Sequence, residues 1–249
     1  MVVILLIRHG QNEWVKKNRL AGWTPGVHLN DKGRQQVADL GQRLSKLPLQ
    51  AVYSSPLERC VETAAAVAEP HELVVEELDA VGEVRYGKWE GKKIKKLAKK
   101  KKWHAVQHFP SRFRFPRGES FVQVQQRAVA ALEGLSQQHK KGVFAVVSHA
   151  DVIKLVLAHY LGVHMDLFQR IAVSPASVSV LALSDGGHIR VLRVNDSGPL
   201  QLPKEEKDEG QEETPSTAES GAADPEPDGH DVQNVSATTA ATVAEEDNG

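Results

Sequence analysis

Leu6-Ile7-Arg8-His9-Gly10 closes the apolar run that begins at Val2, and its last three residues carry the first chemistry in the chain. Val2–Ile7 has the continuous apolar content of a strand buried on both faces. A histidine at the exit of such a strand sits where parallel α/β sheets place ligands, just outside the carboxyl ends of their strands. Arg8, directly before it, supplies a planar cationic fork suited to phosphate. Gly10, directly after it, lets the backbone turn sharply and come close to a ligand.

Three further stretches serve as partners. Ser54-Ser55-Pro56-Leu57-Glu58-Arg59-Cys60-Val61-Glu62-Thr63 follows a second apolar strand, Leu49–Tyr53. Pro56 fits the first turn of a helix and Ser55 its cap. Arg59 then falls one turn into a helix whose N-terminus points at the same sheet edge; the alternative is a solvated Arg59 paired with Glu62 three residues on. Gly82-Glu83-Val84-Arg85-Tyr86-Gly87-Lys88-Trp89-Glu90-Gly91 holds three glycines and two carboxylates in ten residues and has the composition of a loop. Val143-Phe144-Ala145-Val146-Val147-Ser148-His149-Ala150 is again an apolar strand ending in a histidine, with a helical pattern at Val152, Leu155, Val156 and His159 after it. Two histidines at strand-to-helix turns point to an active site rather than to structural roles.

These motifs, in this order, resemble the histidine phosphatase superfamily, also called the phosphoglycerate mutase-like family, from Met1 to about Leu200. The resemblance rests on Arg-His-Gly, Ser-Pro-Leu-x-Arg-x-x-Glu-Thr, the glutamate before Gly-x-Trp-Glu-Gly, and the late Val-Ser-His. Gly22-Trp23 and Gly118-Glu119-Ser120-Phe121 agree with it as well. It implies an α/β fold: a three-layer sandwich with a mostly parallel central sheet, helices on both faces, and a small inserted cap.

The chemistry of a phosphate monoester suits these residues. The dianion needs positive charge on its equatorial oxygens as the ester bond breaks. Arg8 and Arg59 supply two guanidinium forks, and His149 a third donor. His9 is the candidate nucleophile; its imidazole is neutral near pH 7 and more so beside arginines. Attack yields a phosphohistidine, which divides one hard step into two. The leaving alkoxide needs a proton, and the resemblance assigns that role to Glu83, which then serves as base for the attacking water. Cationic side chains neutralise the charge, so neither a metal nor another cofactor is expected. Two departures from the family pattern concern rate and substrate fit. Val15 stands where an asparagine is common, with Asn12 a candidate to contact phosphate instead. Ala150 follows His149 in place of the usual glycine and keeps its backbone N–H for phosphate if its φ is negative. Arg85 and Tyr86 are candidates to line the substrate entrance, with loop packing as the alternative.

Other candidates have simpler explanations. Trp14, Trp23 and Trp89 fit local packing, and Cys60 a small buried filler. His28, His104, His108, His159 and His164 lack ligand spacing with one another, so no metal site is expected among them.

The chain divides by composition. Pro203–Gly249 has almost no large apolar residue and carries 14 acidic and 2 basic residues; Met1–Leu202 carries 29 basic and 18 acidic ones. The first is expected to be an acidic disordered tail, residues 203–249, and the second a single catalytic domain, residues 1–202. Eight lysines fall between Lys92 and Lys102, where Ile94, Leu97 and Ala98 form an apolar stripe, predicting an amphipathic cap helix. A solvated lysine face is the plain account; steering of anionic substrate, or docking of the acidic tail on the basic cap, is the sharper one. No aromatic-interleaved surface supports nucleic-acid binding.

Periodicity predicts strands at Val2–Ile7, Leu49–Tyr53, Val143–Val147, Ser177–Leu183 and Ile189–Val194. Helices are predicted over Asp31–Leu47, capped near Asn30, and Phe121–Gln138, with a Gly186-Gly187 hairpin turn between the last two strands. The single cysteine, the absence of a signal-peptide core and the lack of any run of membrane-spanning length fit a cytoplasmic protein.

Three functions are compatible with this reading. The first is a phosphatase acting on a small phosphorylated metabolite. The second is a cofactor-dependent phosphoglycerate mutase, which must protect its phosphohistidine from water; only 26 residues, Lys92–Arg117, separate Gly91 from Gly118, and so short a cap favours the hydrolase. The third is a non-catalytic phosphate-binding protein, disfavoured because His9, Arg8, Arg59, Glu83 and His149 are all present.

Overall fold

The computed structural model describes residues 1–139, 141–184 and 188–198. The Gly186-Gly187 turn and the acidic segment 203–249, with its docking on the cap, lie outside the described residues.

Strand β1 (Val2–Arg8) is the centre of a six-stranded sheet. The others are β2 (Leu49–Ser54), β3 (Val75–Glu77), β4 (Gly142–Ser148), β5 (Val178–Leu183) and β6 (Ile189–Asp196). Their order is β3-β2-β4-β1-β5-β6, with the first four parallel and the last two antiparallel. Among the described residues seven α-helices accompany them: α1 (Glu13–Lys16), α2 (Asp31–Leu44), α3 (Glu58–Ala68), α4 (Ile94–Ala98), α5 (Lys101–His108), α6 (Phe121–His139) and α7 (Ala150–Tyr160).

Side chains of β1 alternate between two cores. Val2, Ile4 and Leu6 join the cluster that includes Phe121, Val124, Val152 and Val156 of α6 and α7, together with Trp89 and Leu97 near the cap. Leu5 and Ile7 join the cluster with Val37 and Leu40 of α2 and Ala64 and Val67 of α3. A strand apolar on both faces therefore forces helices onto both faces, each buried Leu or Ile contributing about 1.5–3 kcal/mol. This is the three-layer α/β sandwich with a mostly parallel sheet.

The structure corrects the sequence reading at four points. β3 was not predicted; it is a three-residue edge strand, Val75-Glu76-Glu77, and the Leu73-Val74-Val75 run that leads into it is too short to mark it against its acidic neighbours. The lysine-rich cap is not one helix but two short ones, broken at Lys99 and Lys100; Leu97 is buried and Trp103 stacks on Trp89 at 6.0 Å. Helix α3 starts at Glu58 with Leu57 as its cap residue; Ser55 Oγ accepts from Leu57 N at 3.4 Å, outside the helix, and has a second partner described below. Finally, Gly10 has no positive φ. A Cβ there would lie 2.9 Å from the Gly33 carbonyl and from Val37 Cγ1, so its smallness serves the close approach of the β1 exit to α2.

Candidate active site

β1 and β4 are hydrogen-bonded neighbours, with Arg8 opposite Ser148. That register sets His9 and His149 side by side, their ring centroids 5.3 Å apart, although 140 residues separate them in the chain. Both are buried.

The hydrogen bonds assign the tautomers. His9 Nδ1 lies 2.7 Å from the Gly10 carbonyl. A carbonyl only accepts, so Nδ1 carries the proton and Nε2 is the free base. Burial, and then Arg59 and Arg8, hold His9 well below the usual histidine range, so it stays neutral. His149 Nδ1 receives Arg59 Nη2 at 3.2 Å, and guanidinium only donates. Its Nε2–H therefore points at Ser55 Oγ, 2.8 Å away. Burial and Arg59 keep His149 neutral too. The 3.7 Å approach of His149 Nδ1 to Glu83 Oε2 is accordingly a neutral contact rather than an ion pair. Cys60 Sγ packs 3.4 Å from His149 Nε2, and burial raises its thiol to about 12, so it is inert.

The arginines are fixed by main-chain carbonyls. Arg59, only 1% exposed, donates from Nη2 to Gly22 O at 3.0 Å; it does not pair with Glu62, which accepts instead from Leu29 N and meets His28. Arg8 Nη1 donates to Val173 O at 2.7 Å. The Asn12 carbonyl oxygen caps α1, accepting from Trp14 N and Val15 N. Arg8 Nε, Arg59 Nη1 and Asn12 Nδ2 are buried without a protein partner. Unpaired buried donors are costly, and these three belong to residues lining one cavity of about 200 Å³, which His9, Glu83, Tyr86 and Ala150 line as well. The donor set matches an oxyanion.

Glu83 is the acid of this cavity, its side chain 13% exposed. Burial first, and the Asp151 carboxylate second, raise it to about 7 against the opposing pull of Arg59 and Arg8. Its backbone is clamped. Glu83 O accepts from Trp23 Nε1 at 2.6 Å and from Arg127 Nη2 at 3.0 Å, while Arg127 also grips Ala80 O, Gly82 O and the Glu119 carboxylate.

Of the candidates read from sequence, Arg8, His9, Asn12, Arg59, Glu83, Tyr86 and Ala150 border this cavity, and His149 packs behind it. Ala150 opens α7 and has no positive φ, so its N–H keeps the orientation the sequence reading required. Arg85 does not border it; its guanidinium stacks on Trp23 at 3.7 Å, the loop-packing alternative. Trp14, expected to be packing alone, does border it, beneath Arg19. Ser55, Asp151 and the Arg127–Glu119 clamp were missed. Asp151 lies two residues after a motif histidine, and Glu119 and Arg127 lie about two helical turns apart, but the groups they hold are remote in the chain. A wider groove of about 880 Å³ between α2 and α3 holds no such set of converging donors.

The profile of the histidine phosphatase superfamily, branch 1, matches residues 4–197. The chain belongs to this superfamily. Among relatives of this histidine phosphatase, Phosphoserine phosphatase 1 of Hydrogenobacter thermophilus is 30% identical over 200 residues, 78% of this chain and 92% of that protein. The metal-independent phosphoserine phosphatase of Arabidopsis thaliana is 33% identical over 162 residues, 61% of this chain and 66% of that one. A probable phosphoglycerate mutase, GpmB of Erwinia tasmaniensis, is 28% identical over 181 residues, 72% and 84% respectively. The solved structure of YhfR from Bacillus stearothermophilus superposes with a TM-score of 0.74 at 29% identity, covering 79% of this chain and 98% of that one.

Proposed function

We propose that this histidine phosphatase hydrolyses a small phosphate monoester, with His9 as nucleophile and Glu83 as proton donor. The observation that carries the assignment is the fixed tautomer of His9: its own backbone holds the Nδ1 proton, leaving Nε2 as base in a cavity bordered by Arg8 and Arg59. Nε2 attacks phosphorus, the P–O ester bond breaks, and Glu83 passes its proton to the departing alkoxide. Water then attacks the phosphohistidine, Glu83 takes its proton, and the N–P bond breaks to release inorganic phosphate. Arg8, Arg59, Asn12 and the Ala150 N–H hold the equatorial oxygens. His149 joins them once its proton moves to Nδ1; the Ser55 hydroxyl supports either tautomer, since it both accepts and donates. The guanidinium charge replaces a metal ion.

Rapid quench with labelled substrate should trap an acid-labile, base-stable phosphoenzyme that is absent in His9→Ala, whose kcat should fall roughly 10,000-fold or more. A fully active His9→Ala protein overturns the assignment. Activity should persist in chelator; loss that a divalent ion restores contradicts the metal-free mechanism. Isomerisation of 3-phosphoglycerate, run beside phosphate release, separates the hydrolase from a mutase.

A further inference from the structure

The excess charge of residues 1–202 is confined to one segment. Residues 92–117 hold 11 basic and no acidic residues, which leaves 18 of each sign in the rest of Met1–Leu202. All eight lysines between Lys92 and Lys102 are exposed. Among the described residues none of the eight forms an ion pair.

This placement works against the fold. Lys101 and Lys102 occupy the first turn of α5 and Lys100 precedes it, where the helix dipole favours acids. Eight like charges so close in the chain also repel one another. Stability therefore does not account for them. Catalysis does not use them either. None borders the phosphate cavity, nor a second cavity of about 210 Å³ beneath the cap, which Trp103, Val106, Asp151 and Lys154 help to line. The cap is nevertheless held firmly from below, by buried Leu97 and Val106 and by Trp103 on Trp89.

We propose that the outer face of the cap docks on an anionic lipid surface. This goes beyond the phosphatase reading and does not depend on it. The form of the face selects lipid head groups over a nucleic acid. Trp103 stacks inward, so no ring stands among the lysines for a base to stack on. Successive exposed positions on two short helices send the lysines in diverging directions. Mobile lipids can gather around such a spread, whereas a phosphodiester backbone needs cations along its own track. Lysine is a compact point charge on a long apolar stem, suited to diffuse negative charge rather than to one bidentate partner. Phe109, 49% exposed at the end of α5, supplies a ring for the head-group region.

The test sediments the full chain with sucrose-loaded vesicles, either of phosphatidylcholine alone or of phosphatidylcholine and phosphatidylglycerol in equal parts. The protein should sediment with the anionic vesicles at low salt, leave them as salt rises, and ignore the neutral ones. Each lysine at such a surface is worth about fivefold in partitioning. Lys95→Gln, Lys96→Gln, Lys99→Gln and Lys100→Gln combined should therefore weaken binding roughly 100-fold or more, with an unchanged circular dichroism spectrum. Lys16→Gln, Lys17→Gln, Lys32→Gln and Lys46→Gln combined remove the same charge from exposed sites outside the cap and should bind almost as the wild type does. If the cap variant fails to fold, lysine acylation of the wild type reads the same contact. Anionic vesicles should then protect the cap lysines and leave Lys32 and Lys46 reactive. No sedimentation with anionic vesicles at low salt, equal losses in the two variants, or cap lysines unprotected on bound protein overturns the proposal. Retention on an oligonucleotide at matched salt without vesicle binding overturns it too, and assigns the cap to nucleic acid.

Discussion

At Glu83 two opposing fields meet. Burial and the Asp151 carboxylate favour the protonated form, while Arg59 and Arg8 favour the ionised one, and the balance lies at about 7. A group poised there can give a proton in the first half-reaction and take one in the second. The sign is explicit: the acid role needs the proton, so phosphoryl transfer from a poor leaving group should fall as pH rises through about 7. His9 is neutral well below its usual range, so no loss from nucleophile protonation is expected just below that pH. Stopped-flow rates of phosphoenzyme formation against pH check this. Glu83→Gln should remove the alkaline limb and slow alkyl phosphates far more than p-nitrophenyl phosphate, whose leaving group needs little protonation. Equal losses on both would make Glu83 structural. His9, Arg8, Arg59 and Glu83, which the structure brings to one cavity, were legible as motif residues. Ser55 was assigned to a helix cap; it does accept from Leu57 N, but its shorter bond, to His149, joins residues 94 positions apart.

The loop carrying Glu83 has little regular structure of its own and is positioned by α6. Arg127 joins three carbonyls of residues 80–83 to the Glu119 carboxylate, and its planar fork is what allows five such contacts. Lysine cannot reproduce that geometry. Arg127→Lys should therefore lower kcat by about 10- to 100-fold, the cost of misplacing an acid by roughly 1 Å, with KM changed much less. The pH at which the alkaline limb falls should also move, because Glu83 is repositioned relative to Asp151 and the arginines. A variant with unchanged kcat and pH profile would show that the loop holds itself. Other segments followed from periodicity to different degrees. α2 and α6 were visible in their apolar spacing, whereas the cap was mistaken for a single helix. Its lysines are compatible with a continuous helix, and the break at Lys99 and Lys100 has no mark in that run of lysines.

Across the chain, the two cores draw on residues from Val2 to Val191. The superfamily match likewise ends at residue 197. A protein ending at Leu202 should then melt with an unchanged midpoint by circular dichroism. A fall of more than about 4 °C, equivalent to roughly 1 kcal/mol for a domain of this size, would mean that the acidic segment contributes to stability. Low-salt kinetics of the same protein would show whether that segment acts on the basic cap.

Local order was enough to establish what kind of protein this is. Alternation of apolar faces along β1 requires helices on both sides of the sheet, and a histidine after each of two buried strands, beside Arg8 and Arg59, points to a phosphate site before any coordinates, with the role of Glu83 implied by the family resemblance. Those properties are short-range: they depend on neighbours one to four residues away. Adjacency is not. That β4 lies beside β1 in register, so that His9 and His149 meet, follows from packing two cores at once. That Asp151 and Lys154 face a cavity under the cap, rather than solvent as their helical spacing allows, depends on where α7 settles against the cap and on the hydroxyl of Tyr86. Such contacts join residues scores of positions apart, and their free energy exists only after the chain has closed on itself.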